Sequence, residues 1–199
     1  MDAIAPPKPK VLFEAEPFIP YVRNFDARLK PAVERYYKVG RLPNAFKLYA
    51  YRPEIAETLW KLSWNIMGDP SSTLDQSFKN KLAVVACATN GCAYCTAHNC
   101  AVLKNWGLSE KELQDIITNA YEPKNEMERV CFDYVRSASD DATSVPEEIL
   151  QRLRQHLTPP QIIELAFLVG FWKFRNTVHD SLHIPVESMM LGYTGYVDL

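Results

Sequence analysis

The chain has 199 residues, of which 47% are hydrophobic and 12% aromatic, and its formal net charge is −2. This size allows one domain with a sizeable core, and the near-neutral charge gives no electrostatic reason to expect nucleic acid or an anionic membrane surface as a partner. No apolar run approaches the roughly 20 residues that a membrane span requires. The first ten residues lack the apolar core of a signal peptide. We therefore expect a cytoplasmic protein.

Composition divides the chain into three parts. Residues 1–20 contain five prolines, which favour an extended arm over a helix. Residues 21–185 show helical periodicity interrupted by glycine and proline, and residues 186–199 form an irregular tail. Without any alternating strand pattern, the central part predicts a single all-α domain of about seven or eight helices.

Start and stop signals place these helices in order. The expected ranges are about 25–39, 53–67, 74–88, 94–106, 110–117, 126–139, 145–156 and 159–183, with a short helical turn over 44–50. Capping boxes are predicted at Ser109, Ser144 and Thr158. The last helix is the most apolar, so we expect it to be buried on most sides, as the central or subunit-interface helix.

A Cys-x-x-Cys is the most chemically specific feature of the chain. Asn90 and Gly91 tolerate positive φ and break the preceding apolar run, which places Cys92 and Cys95 in the first turn of a new helix. A helix N-terminus lowers the pKa of such a thiol, and His98 stands over the same helix face. Two thiols beside a base predict peroxide reduction or disulfide exchange.

Metal binding is the competing interpretation of these residue types. Structural zinc usually takes two separated ligand pairs, and this chain has one cysteine pair. Cys87, Cys100 and Cys131 fall among apolar residues and are expected in the core. His179 and His183 are four apart and could bind a metal, but a helix C-terminus favours histidine in any case. We expect no bound metal and no cofactor.

The motif and its flanks are similar to a known family. Residues 90–98 resemble the signature of the carboxymuconolactone decarboxylase superfamily, in its alkylhydroperoxidase D-like branch. The segments 42–46, 52–54, 108–110 and 157–180 also resemble that branch, in the same order along the chain. The resemblance covers roughly residues 40–185, and the ordered flanks make it more specific than the cysteine pair alone.

The resemblance implies a fold, an activity and partners. The fold would be all-α and would assemble as homo-oligomers, either trimers or hexamers. The activity would be reduction of a hydroperoxide, with electrons from a lipoyl or thioredoxin-like dithiol donor. By the matching positions, Cys95 would attack the peroxide, Cys92 would resolve the intermediate, and His98 would belong to the proton relay.

One position departs from the family pattern. The relay glutamate of the family stands twelve residues before the first cysteine, where this chain has Asn80, which cannot carry a proton at neutral pH. The neighbouring Lys79 is a candidate for stabilising a thiolate by its charge. Glu164, in the most apolar helix, is a candidate for the missing acid and would need Arg175 or Lys173 as a partner if buried.

Four functions therefore stay open at this stage. A thiol peroxidase is the preferred one. A thiol-disulfide reductase or redox sensor with little peroxidase activity is the alternative that Asn80 favours. A cofactor-free enzyme of the decarboxylase type and a metal-binding scaffold are less favoured, because the first generally lacks the cysteine pair and the second needs further ligands.

Overall fold

The computed structural model describes residues 16–38 and 42–187 of the chain. Over these ranges it contains nine α-helices and no β-strand, which confirms the predicted all-α class. Most of the predicted arm (1–20) and tail (186–199) lies outside the described residues. No helix in the described part is long and apolar enough to cross a bilayer.

The helices follow one another with short connections. A 3₁₀ turn at Ala27–Leu29 precedes α1, and the α-helices are α1 Lys30–Lys38, α2 Asn44–Tyr49, α3 Pro53–Met67, α4 Gln76–Thr89, α5 Ala93–Asn105, α6 Glu110–Ile117, α7 Glu126–Asp140, α8 Glu147–His156 and α9 Pro159–Ser181. The count exceeds the predicted one because residues 44–49 form a true helix. The first helix starts later than predicted because Asp26 accepts the Arg28 amide at 2.9 Å and caps the 3₁₀ turn.

The central helix is α4, not α9. Residues 78–87 of α4 are all buried, and α4 packs against α5, α6, α7 and α9. The prediction that α9 would be the central helix is wrong, since Ile163, Phe167 and Phe174 are exposed in the single chain, whereas the alternative of a subunit-interface helix stays a prediction. One side of α9 covers α4, and its other side presents apolar residues at the surface of this chain.

Two of the three predicted capping boxes are present. They occur at Ser109 and Thr158, before α6 and α9. The third prediction is wrong because the Ser144 hydroxyl donates instead to the Asp141 carboxylate at 2.6 Å. Pro146 is the N-cap of α8 and offers no side-chain hydrogen bond. A carboxylate in the preceding loop is the stronger acceptor for this hydroxyl.

The turn between α4 and α5 fixes the position of the dithiol. Gly91 has φ +76°, and the Cys92 amide donates to the Cys87 carbonyl while the Gly91 amide donates to the Ala88 carbonyl, both at 3.0 Å. This pair of hydrogen bonds is a Schellman motif with glycine in the left-handed position. Cys95 lies in the first turn of α5, as predicted, whereas Cys92 is the N-cap one residue before the helix.

Replacing two glycines by alanine should change stability in opposite directions. A Cβ at Gly91 or at Gly170 would meet no atom within 4 Å, but only Gly91 has a positive φ. Gly91→Ala should lower the free energy of unfolding by about 1–2 kcal/mol, the cost of left-handed backbone for an L-residue. Gly170→Ala, within α9, should raise it by about 0.5–1 kcal/mol. Denaturant unfolding measures both changes in the free energy of unfolding. A Gly91→Ala variant as stable as wild type would contradict a left-handed conformation at Gly91.

Candidate active site

A thiol, an imidazole and a phenol from three helices meet in the interior. Cys95 Sγ in α5 lies 2.9 Å from His179 Nδ1 in α9. The other ring nitrogen of His179 is hydrogen-bonded to the Tyr49 hydroxyl in α2. Cys95 and His179 are each 1% exposed, so water does not solvate either group. The arrangement allows a proton to pass from the sulfur to the imidazole.

Cys92 completes the dithiol and biases which sulfur ionises. The sulfurs of Cys92 and Cys95 and one nitrogen of His179 all lie within 4.8 Å of one another. A hydrogen bond to Cys95, together with burial, raises the pKa of Cys92 far above its usual range. The same hydrogen bond lowers the pKa of Cys95. Cys95, whose sulfur contacts His179 Nδ1, is therefore the thiol of the pair with a base beside it.

Burial reverses the pKa shift expected from the helix N-terminus. Burial is the largest influence on Cys95 and raises its pKa well above the ordinary thiol value. The prediction of a lowered pKa at this position is wrong, because loss of water around a thiolate outweighs the favourable end of α5. Cys95 is thus a protonated thiol at rest and needs a base before it can attack.

His179 is suited to be that base. Burial, followed by the positive charges of Arg175 and His98, lowers its pKa well below the ordinary histidine value. The imidazole is therefore neutral at pH 7. With a proton on Nε2 donated to Tyr49, the lone pair of Nδ1 faces Cys95 and can accept its proton.

Arg175 places a positive charge beside the thiol. It lies one turn before His179 on α9, with its guanidinium 5.5 Å from the Phe171 ring and 5.0 Å from the Trp172 ring. Its buried Nε has no hydrogen-bond partner within residues 16–38 and 42–187. After burial, the largest influences on the pKa of Arg175 come from Tyr49, Cys95, Tyr36 and Tyr94. Arg175 would therefore stabilise a thiolate at Cys95.

His98 belongs to a neighbouring polar cluster. Its Nε2 lies 2.7 Å from one oxygen of Glu187, and the other oxygen accepts the Asn44 amide at 2.6 Å and the Tyr94 hydroxyl at 3.0 Å. The Tyr94 ring is 4.5 Å from the His98 ring and 4.8 Å from the His179 ring. The ring in hydrogen-bond contact with Cys95 is His179, so a relay role for His98 stays a prediction.

Lys79 and Glu164 meet each other through Ser72. Lys79 Nζ lies 2.8 Å from Ser72 Oγ, which donates to Glu164 at 2.6 Å. The predicted partners of Glu164, Arg175 and Lys173, are wrong because the loop before α4 supplies its hydrogen bonds. Arg175, not Lys79, is the cation that lowers the pKa of Cys95. A supporting role for Lys79 and Glu164 in catalysis stays a prediction.

Asn80 is hydrogen-bonded within its own helix. Its side-chain amide donates to the Gln76 carbonyl at 2.9 Å, one turn earlier on α4. A second asparagine, Asn99, donates to the Cys95 carbonyl at 2.9 Å. Neither amide can transfer a proton at neutral pH. A relay role for Asn80 therefore stays a prediction, and the hydrogen bond described for its side chain does not reach the cysteines.

Sequence reasoning missed three of these groups and misassigned a fourth. Tyr49, Arg175 and Glu187 were not proposed at the site, and His179 was considered only with His183 as a metal ligand. His183 is exposed, with φ +48°. The one sequence signal was the presence of ionisable side chains in the otherwise apolar α9.

The family model matches the segment that contains both cysteines, but the match does not extend to Tyr49 or His179. Residues 53–125 match the model of the Carboxymuconolactone decarboxylase family. This segment is therefore similar to that family, which confirms the predicted resemblance at the level of the family. Cys92, Cys95 and His98 lie inside the matched segment, whereas Tyr49 and His179 lie outside it.

Solved structures share the fold over most of the chain. A peroxidase-related protein from Ralstonia eutropha JMP134, described as an alkylhydroperoxidase AhpD core, is 19% identical, with a TM-score of 0.79 over 92% of this chain and 99% of that one. A peroxidase-related protein from Silicibacter sp. TM1040 is 19% identical, with a TM-score of 0.76 over 91% and 99%. The debrominase Bmp8 is 18% identical, with a TM-score of 0.73 over 84% and 90%. No curated protein matches the chain.

The Glu187 cluster should make stability depend on pH. Burial raises the pKa of Glu187, but hydrogen bonds from His98 and from the Asn44 amide outweigh it and lower the pKa from 4.5 to about 2. A lowered carboxyl pKa stabilises the fold above the unfolded value, and this stabilisation is lost as the pH falls towards the folded value. Glu187→Gln should therefore cost about 2–3 kcal/mol at pH 7.

The measurement is urea unfolding of both proteins between pH 7 and pH 2. The difference between wild type and Glu187→Gln should shrink as the pH falls from 4.5 to about 2. Glu148→Gln, at an exposed position in α8, is the matched control and should show no such trend. A difference that does not change with pH would contradict the ion pair with His98.

Proposed function

We propose that this protein is a thiol-dependent hydroperoxide reductase in which Cys95 and Cys92 form the redox dithiol. The observation that carries the proposal is the buried contact between Cys95 Sγ and His179 Nδ1, with Cys92 hydrogen-bonded to the same sulfur. A nucleophile, its base and a resolving thiol are thus within reach of one another. The peroxidase-related fold neighbours are consistent with this assignment.

The first step oxidises Cys95. His179 Nδ1 accepts the proton of the Cys95 thiol, and Arg175 stabilises the thiolate. The thiolate attacks the outer oxygen of the hydroperoxide, the O–O bond breaks, and the proton returns to the departing alkoxide. The products are an alcohol and a sulfenic acid at Cys95, with the sulfur oxidised by two electrons and the peroxide reduced.

The second step closes a disulfide. The Cys92 thiol condenses with the Cys95 sulfenic acid, which forms the S–S bond and releases water. An external dithiol then reduces the disulfide and restores both thiols. Because Cys92 and Cys95 are almost completely buried, a slender lipoyl-type dithiol fits the site better than the flat surface of a thioredoxin-like donor.

A thiol-disulfide reductase or redox sensor is the second candidate. Asn80 at the position of the family's relay glutamate favours it, because it removes an acid that peroxide reduction would use. The burial of both sulfurs opposes it, since attack on a protein disulfide requires an accessible thiolate. The decarboxylase type and a cytoplasmic location stay predictions.

Four substitutions should separate the roles in the peroxide cycle. Cys95→Ser should abolish peroxide turnover, because no thiolate remains to attack. Cys92→Ser should leave a sulfenic acid at Cys95 that a dimedone probe captures. His179→Gln should slow the attack by about 10²-fold or more through loss of the general base. Cys100→Ser, a buried cysteine of the same helix, is the control and should behave like wild type.

The measurement is peroxide consumption with intact-protein mass and free-thiol counts. One equivalent of hydroperoxide should remove two thiols from wild type, and peptide mapping should locate them at Cys92 and Cys95. Full turnover by Cys95→Ser would exclude the proposal. Stable thiols in excess peroxide, together with a measurable dithiol potential, would favour the second candidate.

We further propose that the chain forms the homo-oligomer, a trimer or hexamer, that the resemblance implies. An apolar groove of 460 Å³ lies between α3 and α9, and Leu62, Ile66, Phe167, Gly170 and Phe174 line it. An exposed aromatic groove of this kind suits the matching face of a second copy. The groove lies on the outer side of α9, the helix that carries His179.

A charge in this groove should weaken the assembly. Phe167 is 59% exposed, and Phe167→Glu would place a carboxylate where apolar surface is expected to be buried. Light scattering should show a smaller species for this variant than for wild type. Tyr51→Glu, at an exposed aromatic position outside the groove, is the control and should not alter the mass. A monomeric wild type would exclude the oligomer.

A further inference from the structure

We propose that the reduced protein binds one zinc-class divalent metal ion through Cys92 Sγ, Cys95 Sγ and His179. This site is distinct from the pairing of His179 with His183 that the sequence suggested. The proposal does not depend on peroxidase activity, because it concerns the reduced thiols alone.

The geometry is close to that of a three-ligand metal site. Tetrahedral zinc, with bonds of about 2.3 Å to sulfur and about 2.0–2.1 Å to nitrogen, separates such donor atoms by about 3.6–3.8 Å. The donor atoms of Cys92, Cys95 and His179 lie within 4.8 Å of one another, and one pair is 2.9 Å apart. These distances bracket the required values, so side-chain shifts of about 1 Å would close the site.

The donor set selects the metal. Two thiolates and an imidazole favour zinc and its thiophilic relatives over magnesium or calcium, which prefer oxygen ligands. Metal binding replaces both thiol protons, so one divalent ion and two thiolates form a neutral unit with release of two protons. A neutral unit suits the interior, where both sulfurs are buried and Arg175 would repel a bare cation.

Tyr49 orients the imidazole as metal sites require. Its hydroxyl is hydrogen-bonded to one ring nitrogen of His179, which leaves Nδ1 directed at the sulfurs. Ligating histidines commonly have their second nitrogen held in this way, which fixes the tautomer and the ring orientation. With three protein ligands, the fourth coordination position would be open to water or a small ligand.

Metal binding and disulfide formation use the same two sulfurs and exclude each other. Two metal-bound thiolates, one hydroperoxide and two protons would yield a disulfide, an alcohol, water and a free metal ion. The sulfurs lose two electrons to the O–O bond, and the metal keeps its charge. A hydroperoxide should therefore release zinc from the loaded protein, with one ion set free for each disulfide formed.

The test uses tag-free, fully reduced protein under anaerobic conditions. Titration with CoCl₂ as a spectroscopic probe should give thiolate-to-cobalt charge-transfer bands that saturate at one ion per chain. Competition with a chromogenic zinc chelator then yields the zinc affinity. Cys95→Ser, His179→Gln and diamide-oxidised wild type should lose the bands. Tyr49→Phe should weaken zinc binding by about tenfold, through loss of the group that orients His179.

Matched controls separate this site from incidental binding. Cys100→Ser and His183→Gln, which retain all three ligands, should bind zinc like wild type. Absence of charge-transfer bands in reduced wild type, or unchanged bands in both Cys95→Ser and His179→Gln, would overturn the inference. If the protein binds zinc but consumes no peroxide, this inference stands and the proposed function is excluded. If it consumes peroxide but binds no zinc, the proposed function stands and this inference is excluded.

Discussion

The site depends on one buried contact, between the Cys95 thiol and the His179 imidazole. In water a thiolate and an imidazolium would each be solvated, whereas burial raises the pKa of the thiol and lowers that of the imidazole. Both groups are therefore neutral at rest, and Nδ1 of His179 can accept the proton of the Cys95 thiol. Reactivity then depends on charges that stabilise the thiolate. Arg175 on α9 is such a charge, although it also disfavours an imidazolium at His179.

Three parts of the fold hold this contact in place. The Schellman turn at Gly91 sets the start of α5 and thereby the positions of both cysteines. The buried α4 packs against both α5 and α9, which brings the dithiol and the imidazole together. The segment after α9 returns to the site, where Glu187 joins α2 to α5 through its hydrogen bonds. A site built from separate helices depends on the packing of all of them.

The family segment and the complete site do not have the same extent. Residues 53–125 carry the dithiol, while Tyr49 and His179 come from helices on either side of that segment. Structural neighbours at 18–19% identity share the fold, and they include both peroxidase-related proteins and a debrominase. A common scaffold can thus serve different chemistry, and the groups of the site determine which reaction follows.

Local chemistry in the sequence determined the all-α class, most helix bounds and the dithiol at the start of α5, because glycine turns, caps and helical periodicity act over a few residues. Only the tertiary structure decided which base meets the thiol, since His179 is 84 residues from Cys95 along the chain. It also decided the sign of the Cys95 pKa shift, the choice of Arg175 over Lys79 as the neighbouring charge, and the central place of α4. These features depend on burial and on contacts between helices that are distant in the sequence. A local sequence pattern cannot predict them, because it does not specify how helices pack against one another.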